Sequence, residues 1–382
     1  MNATAVTQKE STPDVMDISV LSKETLYSAW YLLERIYPPI LCMFGLCGNV
    51  LSVLTLRKRT LTSTRFLLTS LAVTDSLVLA FCVLKKWVML MTDYNIREIS
   101  DATCKIDVFL TYFLLQLSPW LLVLITLERV YCVLRPESVR GKITVMRSCI
   151  CICLLIFILF GLNSQLLCTF TLHNNHGPFP KGCYPKNEYE TFMFKIWTWV
   201  DLVMAFGLPF LFLLVGNVII LFRLRSSEQF RTSSGCSASS GTSRRVRRNR
   251  VSQWTAITLT LNTAFIVLVM PSVVFGIGQV YWFPPIPPST ETFVRMHFVS
   301  TIVFMLMYSN SAVNFVFYMV MGSAFRTDLN KMLSGWRQCG VIKKAYHTAS
   351  FELSSIISHS NSSGTHVHLK TLGSCRSDSC KC

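Results

Sequence analysis

Charge is what this chain has least of. Only 15% of its 382 residues are Asp, Glu, Lys or Arg, while 51% are hydrophobic and the mean hydropathy is +0.45. A soluble domain carries about a quarter of its residues charged, so a soluble fold is excluded. Acid is scarcer than base, 20 Asp and Glu against 36 Lys and Arg, for a net charge of +16. The basic residues stand in short segments beside apolar runs, which fits membrane topology and anionic lipid and gives no reason to expect nucleic acid. Internal repeats are absent, which speaks against a transporter built from duplicated halves. Histidine is scarce in the apolar runs: His173, His176 and His297 fall in or near outer loops, and His347, His359, His366 and His368 fall in the tail. An intramembrane hydrolase would need a metal cluster or an activated nucleophile there. The first residues lack a basic n-region and an apolar h-region, so no cleaved signal peptide is expected and the first span serves for insertion.

What is present is seven apolar runs near the length needed to cross a bilayer as a helix: Ala29–Leu56, Phe66–Val88, Val108–Val133, Cys149–Phe170, Phe192–Phe222, Thr255–Val280 and Phe293–Met321. The expected fold is therefore an all-α membrane protein, a seven-transmembrane helix bundle. Four segments are expected: a tail over 1–28, the bundle over 29–321, an amphipathic membrane-surface helix over 322–338 and a tail over 339–382. Arg57 to Arg59, Arg135, Arg140, Lys142, Arg147, Arg223, Arg225 and the run Arg244–Arg250 alternate with loops that are mixed or acidic. Lys and Arg are retained in the cytoplasm, so the N-terminus is expected outside and the C-terminus inside, in the plasma membrane.

Most cysteines lie within apolar runs and behave as small hydrophobes. Cys104 and Cys183 both face the oxidising side, which predicts a disulfide between them. Asn2-Ala3-Thr4 is a glycosylation sequon. Cys339, directly after the amphipathic segment with Phe325, Leu329, Met332, Leu333 and Trp336, is a candidate for palmitoylation or a free thiol.

Polar residues inside spans must face one another or water. Asn49, Asp75, Ser118, Asn310, Ser311 and Asn314 mark such an interior. Asp75 at mid-span needs a proton or a cation: it either sits neutral, bonded to Asn49 and Asn310, or joins neighbouring oxygens around a hard monovalent cation such as sodium. Glu128 and Arg129 end the third run; as residues alone they either snorkel to the headgroups or form a functional ion pair. Pro119, Pro209 and Pro271 each remove a backbone donor within a span, so the bundle is expected to pivot.

In order along the chain, Gly48-Asn49-Val50, Leu71-Ala72-Val73-Thr74-Asp75, Cys104, Glu128-Arg129-Val130 with Val133 and Pro136, Pro209, Phe265 with Pro271, and Asn314-Phe315-Val316-Phe317-Tyr318 with Phe325 resemble the motifs of the rhodopsin-like, class A, G-protein-coupled receptors. The resemblance covers essentially the whole membrane domain and implies a receptor, not an enzyme. It acts by a population shift in which the sixth helix swings outward and admits a heterotrimeric G protein. It implies a switch formed by Glu128, Arg129, Asn314 and Tyr318, and a sodium pocket of Asp75, Ser118, Asn310, Ser311 and Asn314, the ion being allosteric and no cofactor being required. Arrestin and receptor kinases are the further partners, through Ser and Thr of the third inner loop and tail. The chain departs from the pattern at Val269, where a Trp is usual, and at Val130, Phe315, Asn217 and Val251. Between Thr144 and Leu167 the usual Trp and Pro are missing. These departures weaken the usual trigger and resting lock and leave the fold untouched.

By the same resemblance, Thr111 stands where amine receptors have an Asp and Tyr308 where opsins have a Lys, so neither ligand chemistry is expected. Lys85, Lys86, Trp87, Asp107, Tyr112, Gln116, Gln279, Tyr281 and Trp282 lie near the outer mouth. Cations beside aromatic rings there either receive an acidic or carbonyl-rich extracellular peptide or form an interfacial belt. With the long loop around Cys183, they make the chain similar to neuropeptide-type receptors, loosely the FMRFamide and thyrotropin-releasing-hormone groups. An ion-coupled transporter or channel and an intramembrane hydrolase are the rival classes.

Overall fold

Backbone groups find no water inside a bilayer, so each apolar run must close its own hydrogen bonds along a helix. The computed structural model describes residues 18–58, 60–135, 144–173, 181–233, 242–282 and 290–335. It contains seven helices long and apolar enough to cross a membrane. They are α1 (Ile18–Arg57), α2 (Ser63–Thr92), α3 (Asp101–Leu134), α4 (Val145–Thr169), α5 (Asn187–Ser226), α6 (Thr242–Trp282) and α7 (Thr290–Met321). Each expected run lies within one of them, save that α4 stops at Thr169 and Phe170 opens a strand.

Local chemistry sets several boundaries. Thr62 and Thr144 cap α2 and α4, and Ser100 forms a reciprocal capping box with Thr103 at the start of α3. Asp93 ends α2 in the left-handed region (φ 53°), which Asp tolerates better than most residues. α1 begins at Ile18, inside the segment expected as a polar tail. Its N-terminal half is held by a distant partner: the Trp30 ring stacks on His297 of α7 (centroids 5.4 Å apart) and its Nε1 donates to Thr301 Oγ1 at 3.1 Å.

Three wide π-helical turns interrupt the α period, at Leu79–Leu84 in α2 and at Met193–Trp197 and Val203–Gly207 in α5. Pro209 has no N–H for the carbonyl of Ala205, and the helix opens directly before it. A carbonyl within that turn is taken from outside, because Trp120 Nε1 of α3 donates to Met204 O at 2.8 Å. α3 is the hub, touching α2, α4, α5 and α6, while α1 packs on α2 and α7. The α1–α7 seam is close enough to need glycine: a Cβ on Gly45 would lie 2.8 Å from Ala312 Cβ and 2.5 Å from Leu79 Cδ1.

Strands β1 (Phe170–His173) and β2 (Gly182–Pro185) pair antiparallel, with Leu172 opposite Cys183. Cys183 is bonded to Cys104 of α3, Cα atoms 5.5 Å apart, which is the disulfide expected from sequence. Asp101 at the start of α3 accepts from Thr171 Oγ1 at 2.7 Å and Leu172 N at 3.0 Å, so β1 is fastened to the same helix end. The helix over 323–335 belongs to a separate unit and is amphipathic: Phe325, Leu329 and Met332 share one buried face, and Arg326 and Lys331 are exposed.

Candidate functional site

At the end of α3 away from the disulfide, Arg129 is buried, and so is Glu128: their side chains are 5% and 8% exposed. Neither snorkels. Arg129 Nη2 lies 3.1 Å from Glu128 Oε1 and also donates to Thr64 Oγ1, which in turn donates to the same Glu128 oxygen at 2.9 Å. Thr64 stands near the start of α2, so the triad ties two helices. It is incompletely satisfied. Glu128 Oε2 and Arg129 Nε are buried and meet no hydrogen-bond partner among the described residues, at a cost of roughly 1–3 kcal/mol per group.

One helical turn before Arg129, Thr126 opens a second junction. Asn262 of α6 is fully buried, and its Nδ2 donates to Thr126 Oγ1 at 2.9 Å and to Asn217 Oδ1 of α5 at 2.7 Å. One amide thereby holds α3, α5 and α6 together. In sequence Asn217 stands out only as a departure from the family pattern and Asn262 not at all, because an Asn in an apolar run carries no signal of its partners.

Deeper in the bundle, Asp75 is fully buried. Ser118 Oγ donates to its Oδ1 at 2.7 Å and Asn314 Nδ2 to its Oδ2 at 2.6 Å, and Ser311 also hydrogen-bonds it. Asn49 instead donates from Nδ2 to the Ser311 carbonyl at 3.0 Å, and its buried Oδ1 accepts nothing among the described residues. Ser118, Asn310 and Ser311 line a cavity of about 30 Å³ with Tyr308 and Phe265, enough for a water-sized guest. Tyr318 is buried, 1% exposed. Helices α2, α3 and α7 thus bring Asp75, Ser118, Ser311 and Asn314 together, with Asn310 on the neighbouring cavity wall.

The residues expected at the outer mouth separate into groups. Lys85 and Arg97 both pair with Asp107, and Thr111 returns its hydroxyl to the Asp107 carbonyl at 2.8 Å. Lys86 turns the other way, to Glu34 of α1 at 3.3 Å. The two neighbouring lysines therefore do not act as one cationic patch; two carboxylates on different helices, Asp107 of α3 and Glu34 of α1, divide them. Tyr308 packs between α1 and α2, against Leu41, Cys42, Leu79 and Val83. Tyr112 meets Trp197 edge-on, centroids 6.1 Å apart, and Gln116 donates from Nε2 to Asp201 Oδ1 at 2.8 Å. Asp201, Arg97 and Thr64 were missed by sequence reasoning. Asn2 and Cys339 lie outside the described residues, as does the side chain of Gln279.

Seven spanning helices, a disulfide from α3 to the following hairpin, a buried Glu–Arg pair at the other end of α3 and a buried Asp between α2, α3 and α7 define a class of protein, and the comparison with known families agrees. The family described as 7 transmembrane receptor (rhodopsin family) matches residues 48–318. The chain belongs to that family; it is a multi-pass membrane receptor for signalling and not an enzyme. Among its relatives, the B1 bradykinin receptors of Macaca mulatta and Macaca fascicularis are each 28% identical over 336 aligned residues, covering 81% of this chain and 85% of the relative.

Proposed function

We propose that the protein is a peptide-activated receptor that couples to a heterotrimeric G protein, with the disulfide end outside the plasma membrane and the Arg129 end in the cytosol. The observation that carries this reading is the buried, under-satisfied triad of Arg129, Glu128 and Thr64. A side chain that served as a headgroup anchor would be exposed. An arginine held inside with an unused donor is prepared for a second partner. The relatives' names add support, since bradykinin is a peptide. Orientation is supported by the exposed Arg57, Lys58 and Arg223 at the Arg129 end.

Ligand binding at the disulfide end favours a state in which α6 leaves α3. That step breaks the Asn262 bonds to Thr126 and Asn217, one turn from Arg129, and frees the guanidinium to meet the G protein. Buried hydrogen bonds are worth about 1 kcal/mol each, so a few of them set the scale of the shift, of which a full reversal from 1:99 to 99:1 needs about 5.5 kcal/mol. The helical run Arg244–Arg250 at the start of α6 moves with it. Asp75, Ser118 and Ser311 offer a set of hard oxygens suited to a sodium ion, with Asn310 and Asn314 beside them, and the ion would supply a positive charge that holds the resting arrangement. The amphipathic helix rests on membrane lipid, and arrestin and a receptor kinase engage the Ser- and Thr-rich inner segments.

The test is nucleotide exchange on purified receptor reconstituted with G-protein heterotrimers and challenged with a peptide library. A stimulating peptide is expected, and Arg129→Gln is expected to abolish exchange while leaving peptide-induced thermal stabilisation intact. Silence toward all peptides and heterotrimers, or full exchange by Arg129→Gln, would remove the reading.

A further inference from the structure

Asp201 of α5 stands apart from the other acids inside the spans. Asp75 is held by three hydrogen-bonding neighbours, Asp107 by Lys85 and Arg97, and Glu128 by Arg129. Asp201 accepts one hydrogen bond, from Gln116, and forms no ion pair among the described residues. The donor is fixed from behind. Asn163 of α4 bonds its own helix at Leu159 O (2.8 Å) and also donates to Gln116 Oε1 (2.8 Å), and Asn163 and Gln116 are both fully buried. With its Oε1 occupied, Gln116 must turn its N–H toward the carboxylate. A three-residue relay across α4, α3 and α5 thus presents Asp201, and its scaffold is sealed.

The carboxylate itself is not sealed, since Asp201 is only partly buried. A carboxylate turned to lipid costs several kcal/mol, and Gln116 lies on the hub helix α3, so the accessible edge faces the bundle interior. Two aromatic residues, in edge contact with each other at 6.1 Å, stand one helical turn away on the same two helices. Trp197 is four residues before Asp201 on α5, and Tyr112 four residues before Gln116 on α3, so each stands on the face of its helix that carries the polar pair. The Trp197 Nε1 is buried and has no acceptor among the described residues. A carboxylate with a tyrosine and a tryptophan one helical turn away can attract an organic cation through charge, with the rings adding their quadrupoles.

We propose that Asp201, with Tyr112 and Trp197, receives a cationic group of the ligand, an ammonium or a guanidinium. The proposal rests on the receptor reading and sharpens it. Thr111 removes the counter-ion that amine receptors carry on α3, and Asp201 supplies one from α5. Gln116 lies twelve residues along α3 from Cys104, about 18 Å of helix, so the cation arrives at the end of an extended ligand segment or on a molecule small enough to descend.

The site is tested with the full-length receptor in nanodiscs, by its thermal midpoint in the presence of L-arginine amide or L-citrulline amide, which share a shape and differ in charge. Arginine amide is expected to raise the midpoint saturably and citrulline amide to leave it unchanged. Asp201→Asn, which keeps an oxygen for Gln116, is expected to remove the difference. Equal effects of the two amides on the unmutated receptor, or an arginine effect that survives Asp201→Asn, would overturn the proposal. Two arms of the exchange assay then locate the cation. Neutralising one Lys, Arg or N-terminal amine of an active peptide is expected to weaken it on the order of 100-fold, and Asp201→Asn to abolish that dependence. Activity from a panel of arylalkyl amines with the same dependence, alongside silent peptides, would keep the site and end the peptide reading. An active peptide that carries no cation and ignores Asp201→Asn would end the site and keep the peptide reading.

Discussion

The two ends of the hub helix solve the problem of buried charge in opposite ways. At the Arg129 end, the buried Arg129 and Glu128 are neighbours in sequence, and the amide of Asn262 ties α3, α5 and α6 by neutral hydrogen bonds. At the Cys104 end, charge is balanced between distant segments: Lys85 and Arg97 converge on Asp107, and Asp201 is left with an amide for company. A charge-balanced pair, even one with an unused donor and acceptor, resists change until something competes for its members. An unbalanced one is an open valence for whatever arrives. The difference separates the site proposed for the switch from the site proposed for ligand selectivity.

The largest effect is expected if the Cys104 end loses its covalent tie. Cys183→Ser frees the hairpin from α3, and a disulfide of this kind contributes roughly 2–5 kcal/mol. A large fall in thermal midpoint and in surface expression is expected, with ligand response lost. A variant as stable and responsive as the parent would show that the hairpin is held by Asp101 alone. Next in size is the Asn262 junction at the Arg129 end. Asn262→Leu removes both cross-helix bonds without opening a cavity, and a loss of about 1–2 kcal/mol of resting preference corresponds to roughly a 5- to 30-fold change in the equilibrium. Ligand-free nucleotide exchange should rise by several-fold; unchanged or lower exchange would mean that Asn262 serves packing rather than restraint. Smallest is the midpoint between the two ends. Asp75→Asn is expected to abolish any difference in ligand-free exchange between sodium and potassium buffers. A sodium effect that persists in the variant would place the ion elsewhere.

Much of this was legible from sequence because a bilayer allows few solutions. Twenty apolar residues must be a helix, so the seven spans emerged from length alone, and the ordered motifs from Gly48 to Tyr318 pointed to the family. The Asp75 group was legible because each of its members is polar in an apolar run. The Cys104–Cys183 bond followed from compartment. Pairing between polar residues was not legible. Lys85 and Lys86 are adjacent in sequence and diverge in space, because neighbouring positions on a helix point about 100° apart. Thr64 reads as an ordinary cap-region residue until Arg129 is placed beside it. Asp201 and Gln116 are 85 residues apart, and nothing in the composition of either helix announces the other. The subclass resemblance rested on loop length and mouth aromatics, features that many sequences satisfy.

The wide turns of α5 make that last contact impossible to read from a helical wheel. Each such turn adds a residue to the cycle and so rotates everything beyond it by about a third of a revolution. The turn at Val203–Gly207, latched by Trp120, sets the azimuth of the whole segment that carries Asp201 and Trp197. Removing one residue from it would leave the composition and hydropathy of the span nearly untouched, yet would turn a different set of side chains inward. In this fold, ligand preference can thus be retuned by phase rather than by substitution, with the chemistry of the span kept and only its facing changed.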